Sequence, residues 1–199
     1  RRFIESIGGR KFGVEIMRSL GQTYQSTERN NEAIHAYSAL LDMYPYYKDA
    51  PLIKQNITET YFSLGDDTAA YRTRDELFRD YNPKSDWYAQ IDNSDITDKV
   101  EVLKSGHKLS EKALQMNITL DFLKAQEMES GGISTTAMYS RVAKECEDYL
   151  EVFPTDSNAY GVNWNYAQIL DLKMNRFEEA YEQYIHVSND YLETDFQKM

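Results

Sequence analysis

The stretch LGQTYQSTERNNEAIHAYSALLDMYP, Leu20 to Pro45, decides the fold. Met17, Leu20, Gly21 and Tyr24 stand three or four residues apart, so a helix through them gathers them on one face, which must be buried. The polar run STERNN ends that helix, with Asn30 and Asn31 suited to a turn or an N-cap. Ala33, Ala36, Tyr37, Leu40 and Leu41 then repeat the period, and Pro45 forbids continuation much past Met43. An antiparallel helix pair is expected. Gly21 costs a helix about 1 kcal/mol relative to alanine, which a close approach of the partner helix justifies, with small Ala33 expected opposite it.

The spacing recurs. Tyr24 precedes Ala33 by nine residues, Leu40 follows after seven and Pro45 after five; Tyr61, Ala70, Leu77 and Pro83 run nine, seven and six. A helix pair repeated in this way resembles the tetratricopeptide repeat family, whose pattern of Leu-Gly, Tyr, Ala, an aromatic, Ala or Leu, and Pro is carried by Leu20, Gly21, Tyr24, Ala33, Tyr37, Leu40 and Pro45. The second copy keeps Tyr61, Leu64, Gly65, Ala70 and Leu77 but has Thr58 where glycine is usual and Arg74 where an aromatic is usual. A third second-helix lies in AMYSRVAKECEDYLEVFP, with Tyr139, Val142, Cys146, Tyr149 and Pro154. The fourth pair, NWNYAQILDLKMNRFEEAYEQYIHV, has Trp164, Ala167, Phe177, Ala180, Tyr184 and Val187 in place, and departs at Gln168 and Asp171.

Between Lys84 and Gly132 the pattern breaks. A Trp87 segment and the polar IDNSD precede a long helical run through Val100, Leu103, Leu109, Leu114, Met116, Leu120, Leu123 and Met128, stopped by Gly131 and Gly132. This reads as one unusually long first helix or as two helices. The resemblance therefore implies an all-α, right-handed solenoid of tetratricopeptide-like hairpins in three stretches. Residues 1–83 hold two repeats after the end of another helix, 84–132 an atypical helical insertion, and 133–199 further repeats, continuous with the first part as one superhelix. The opening RRFIESIGG, with Phe3, Ile4 and Ile7 before Gly8 and Gly9, reads as the end of a helix in a piece of a longer protein.

Composition narrows the function classes. A chain of 199 residues that is 41% hydrophobic can bury a core, and nine Gly and four Pro suit neither a disordered linker nor a turn-rich sandwich. A formal net charge of -11 disfavours nucleic acid and anionic membranes as partners and favours proteins. The one cysteine, Cys146, excludes an internal disulfide and a cysteine-based metal site. No apolar run approaches the roughly 18 residues of a membrane span, so direct insertion is not expected.

Chemistry-bearing motifs are missing from the sequence: there is no phosphate-binding glycine loop, HExxH helix or GxSxG turn. His35, His107 and His186 have no companion at ligand spacing, and Cys146 sits at an apolar repeat position in the acidic KECEDYLE. Asn56 and Asn117 begin N-x-T acceptor patterns, both inside expected helices, where chance is the simpler explanation. No catalytic residue, cofactor or metal is assigned.

A stack of helix pairs forms a curved array whose inner surface is lined by first helices. The residues that packing leaves there are Arg18, Gln22 and Gln25 in the first copy, Gln55, Asn56, Glu59 and Phe62 in the second, and Asn165, Tyr166, Ile169 and Lys173 in the last. They are the candidate protein-binding surface. Phe62, Tyr166 and Ile169 are read either as exposed apolar anchors or as packing against a neighbouring repeat. Arg18, Gln22 and Asn56 occupy places that hold a peptide's terminal carboxylate in chaperone-binding members of the family; an ordinary polar groove for a peptide or helix is the default.

The functional expectation is a non-enzymatic protein-interaction scaffold, part of a larger assembly protein. The alternatives are a regulatory or substrate-recruiting segment of an enzyme whose catalytic domain lies elsewhere, and a self-assembling array joined through the last helix, NDYLETDFQKM, and the first. A repeat interval near 37 residues with tails LLDMYP and YLEVFP also resembles tetratricopeptide proteins of bacterial cell envelopes. That resemblance implies the periplasm or envelope of a Gram-negative bacterium, with the cytoplasm as the alternative.

Overall fold

A computed structural model of the chain describes residues 10–190, and the expectations placed on RRFIESIGG and on the tail after Asp190 lie outside them. Among the described residues all regular structure is helical: α1 (Arg10–Ser26), α2 (Asn30–Met43), α3 (Ala50–Ser63), α4 (Asp67–Tyr81), α5 (Asp86–Asp92), α6 (Lys99–Ser130), α7 (Thr136–Val152), α8 (Ala159–Leu172) and α9 (Phe177–Asp190). The chain forms two compact units, Arg1–Ala113 and Leu114–Met199, so the boundary falls inside α6. Three prolines set helix ends as expected. Helices α2, α4 and α7 each stop two residues before Pro45, Pro83 and Pro154.

In the first unit α1 packs on α2, α2 on α3, and α3 on α4. Its core is Ala33, Tyr37, Leu40, Ala50, Ile53, Ile57, Leu77 and Trp87, with Met17 and Tyr24 packed against it. The close approach at Gly21 is real, but its partner is Tyr37 rather than Ala33. A Cβ on Gly21 would lie 2.8 Å from Tyr37 Cζ and nearer still to two other ring carbons. An alanine opposite would leave a hole; an aromatic ring laid on bare backbone fills it, and burying that ring contributes about 2 kcal/mol. Leu20, expected on the same buried face, is instead exposed beside Phe12 and Ile16.

The second hairpin solves the same problem differently. Thr58 is buried where Gly21 has its counterpart, donating its hydroxyl to the Lys54 carbonyl at 3.1 Å. Arg74, 4% exposed, places its guanidinium 4.7 Å from the centre of the Phe62 ring. A cation over an aromatic face thus stands where the first hairpin has a ring over a glycine.

Each hairpin turn contains a residue of positive φ: Glu28 at 59°, Gly65 at 73°, Gly132 at 72° and Asn175 at 56°. The next amide closes each of these turns, Arg29 N–H donating to Tyr24 O at 2.9 Å, Asp66 to Tyr61 at 3.0 Å, Ile133 to Met128 at 2.9 Å and Arg176 to Leu170 at 2.8 Å. Asn30 and Asn31, expected to make the turn or to cap α2, instead form its first helical residues. The N-cap is Arg29, without a side-chain cap bond, and the turn is made by Glu28.

The irregular middle resolves into short α5 and one long helix, α6. Trp87 of α5 is 2% exposed and donates its indole N–H to the Tyr47 carbonyl at 2.9 Å. A Cβ on Gly106 of α6 would sit 2.9 Å from Trp87 Cη2. This second ring-on-glycine contact brings the first half of α6 into the first unit.

In the second unit the later half of α6 pairs with α7, and α8 pairs with both α7 and α9. Phe122 and Tyr139 meet edge to face at 6.3 Å, and Trp164 and Tyr184 at 5.5 Å. Gln168 stands here where the repeat usually has a small residue, and the ring that meets Tyr184 is that of Trp164. Ala167, Ala180 and Val187 are buried as the repeat predicts, whereas Phe177 is exposed and Trp164 only partly covered.

Candidate functional site

The first-unit candidates divide into those already engaged and those open to solvent. Arg18 is half-buried, its guanidinium 3.0 Å from Glu15 and 3.5 Å from Asp49, so two carboxylates already offset the charge that a carboxylate clamp would need. Tyr47 donates its hydroxyl to Asp49 at 2.8 Å, which fixes that carboxylate. Gln25 accepts a hydrogen bond from the Tyr37 hydroxyl at 3.0 Å. Burial pushes that phenol's pKa up while the Asn56 amide pulls it down, which places Asn56 at the same oxygen. Gln25 and Asn56 therefore serve the ring that Gly21 admits.

Gln22 and Glu59 remain exposed, with Gln55 donating to Glu59 at 2.7 Å, and Phe62 is exposed on one side beneath Arg74.

In the second unit the structure decides the open reading of two anchors. Tyr166 and Ile169 are 7% and 2% exposed, so they are packing residues and not exposed anchors. The physical reason is that α8 is covered by α7 and α9 together. Burial raises the Tyr166 phenol, and its charged neighbours are Glu147 on α7 and Arg176 and Glu179 beside α9. Lys173 bridges to both Glu129 oxygens at 2.8 Å and lies 5.4 Å from the Tyr139 ring centre. The Lys173 and Tyr139 hydrogen bonds hold the Glu129 carboxyl below its ordinary range. Asn165 alone of this set stays open.

Asn165 lines a groove the sequence did not show as a unit. Gln115, Ile118 and Thr119 of α6 form one wall; Ser157 and Asn158, then Tyr160, Gly161, Val162 and Asn165 of α8, form the other, around a cavity of about 360 Å³. A smaller cavity of about 160 Å³ lies between Lys48, Asp49, Pro51 and Leu52 at the start of α3 and Glu101, Val102 and Ser105 of α6. A third, of about 470 Å³, is edged by Asp42, Lys54, Arg79, Asp80 and Asp86. Gly161 was the available sequence signal for the first groove, an isolated glycine in a helical pattern.

Cys146 is fully buried, and desolvation pushes its thiol up to about 12, far from a reactive thiolate. His35, His107 and His186 lie on α2, α6 and α9, and among the described residues no group of three His, Cys, Asp or Glu side chains converges on a metal position. Asn117 of the second N-x-T pattern is 1% exposed inside α6, closed to a modifying enzyme. No helix among the described residues is long and apolar enough to cross a membrane.

No family model matches the chain, and no curated protein does. Among solved structures it is similar to a crystal structure of the MamA protein, at 17% identity over 90% of this chain and 95% of that one, with a TM-score of 0.30.

Proposed function

We propose that the chain is a non-enzymatic scaffold that holds protein partners on the first helices of its hairpins. The observation that supports this reading is a groove between first helices in each unit taken by itself: one of about 160 Å³ between α3 and α6 in the first, and one of about 360 Å³ between α6 and α8 in the second. Exposed Glu59 lies on α3 and exposed Asn165 on α8, and Gln22 is exposed on α1, the first helix of the first hairpin. Second helices spend their apolar residues on the core, leaving first helices the freer face.

A photo-reactive residue introduced at Gln22 or Asn165 should yield discrete protein adducts in native extract, whereas His35 and Glu182, exposed on second helices α2 and α9, should yield none. Equal labelling from both faces, or none from either, would remove the scaffold reading.

Self-assembly is the second reading, favoured by matching apolar stripes. Phe12, Ile16 and Leu20 on α1, and Phe177, Tyr181 and Ile185 on α9, repeat every four residues and are all exposed. Sedimentation of the chain at rising concentration tests it: growth in mass that Ile16→Asp abolishes supports an array, and a constant monomer mass rejects one.

A further inference from the structure

Helical glycines need a reason, because glycine weakens a helix relative to any side chain that fits. Gly21 and Gly106 have theirs in the rings of Tyr37 and Trp87. Gly161, in the first turn of α8, has none: a Cβ there would meet nothing within 4 Å. It faces the groove between α6 and α8. The room it leaves serves no packing within the described chain.

The chemistry of that groove differs from that of the two other concavities described above. The chain carries a net charge of -11, and those two are edged by aspartates, lysines, Glu101 and Arg79. No carboxylate, ammonium or guanidinium lines this one. Three side-chain amides line it: Asn158 has a partner of its own, while those of Gln115 on α6 and Asn165 on α8 make no hydrogen bond to another described side chain or backbone group. A side-chain amide offers a carbonyl acceptor and N–H donors, the same pair a peptide group presents. Ile118 and Val162, both mostly buried, supply apolar ground between them.

We propose that this groove receives an extended, uncharged peptide segment of a protein partner, its main chain crossing α8 at Gly161 and exchanging hydrogen bonds with Gln115 and Asn165. The proposal rests on the scaffold reading and adds to it the partner's chemistry. A charged segment would have to give up water without meeting an opposite charge, so neutrality is the selecting property. Exposed Tyr160 beside these amides would also suit a sugar ring. A main chain is favoured because the clearance lies at Gly161, over bare backbone, where a sugar would find no stacking face.

The test uses the whole chain and fluorescent peptides of about a dozen residues, random in sequence and sorted by net charge, with cellohexaose as a separate probe. Binding is expected to concentrate in the uncharged peptides and to change less than about twofold between roughly 50 and 500 mM salt. Gly161→Leu should weaken it by at least about tenfold while leaving the melting temperature equal or higher, since the new side chain enters open space. Gln115→Ala, on the facing wall, should weaken it about fivefold.

Peptide binding that Gly161→Leu leaves unchanged overturns the groove assignment while the scaffold reading stands. So does a preference for charged peptides. Cellohexaose binding that Gly161→Leu abolishes, without peptide binding, overturns the peptide assignment. Absence of binding to every probe overturns both this inference and the scaffold reading.

Discussion

In the hairpin of α1 and α2, Gly21 lets the Tyr37 ring lie on helix backbone, and two further groups, Gln25 and Asn56, close around the phenol oxygen. At the groove of α6 and α8, Gly161 leaves the same kind of space, and no described atom enters it. The two glycines occupy helices of the same type, so their difference lies in what arrives from outside the helix. One space is filled by the fold. The other is part of a surface whose neutral amides are turned to solvent, and that contrast separates residues kept for packing from residues available for recognition.

The largest break in this contrast comes from filling the first space. Gly21→Leu or Gly106→Leu has to displace Tyr37 or Trp87 from the core, costing about 3 kcal/mol, or a fall of about 10 °C in melting temperature for a chain of this size. The same substitution at Gly161 should cost nothing. Thermal unfolding of the three variants measures this directly, and a Gly21→Leu variant as stable as wild type would contradict the ring-on-glycine contact.

The next effect tests whether the first hairpin's solution can be moved to the second. Arg74→Tyr alone should destabilise by about 2 kcal/mol, because the Thr58 side chain occupies the ring's place and the Arg74 contact with Phe62 is lost. Adding Thr58→Gly should return about half of that. Denaturant titration of the single and double variants gives the coupling, and additive losses would mean that the two positions do not share one space.

A smaller effect follows from Cys146 and pH. Burial raises its thiol from the ordinary 9.0 to about 12, so the native state keeps the proton that the unfolded chain releases. Its contribution is therefore complete below pH 9 and is lost as pH rises toward 12. The stability advantage of wild type over Cys146→Ala should narrow by about 1 kcal/mol between pH 7 and pH 9.5. Taking the difference cancels the raised tyrosines common to both proteins, and a pH-independent difference would show the thiol to be solvated.

Much of this architecture was readable in the residues. Proline stops, the Gly131–Gly132 turn and the buried stations Ala33, Tyr37, Leu40, Ala70 and Leu77 all follow from local spacing, because they depend on the helix period and on backbone limits. What the sequence misplaced and what it left open share a cause. Leu20, Tyr166 and Ile169 sit on first helices, and periodicity finds an apolar face without saying whether one neighbour covers it or two; α8 has two and α1 leaves Leu20 bare. Lys173 gave no sign that Glu129, 44 residues away, holds it. Glu28 has no composition signal for positive φ, and adopts it because the turn requires it. Surface roles are less legible than core positions because whether a surface residue is available depends on long-range partners.

The smallest prediction isolates the glycine contrast most cleanly. Gly161→Ala adds a single methyl group to a helix at a position with no neighbour within 4 Å, so its only expected effect on the free protein is the gain in helix propensity. In the first turn that gain is about 0.5 kcal/mol, a rise of about 1 to 2 °C. Gly21→Ala brings the same propensity gain, but its methyl meets the Tyr37 ring below contact distance, so its net change should have the opposite sign. Paired melts of the two alanine variants therefore test sign rather than size. If Gly161→Ala also lowers stability, the space over α8 is occupied by the chain's own residues, and the groove loses the opening on which recognition of a passing main chain depends.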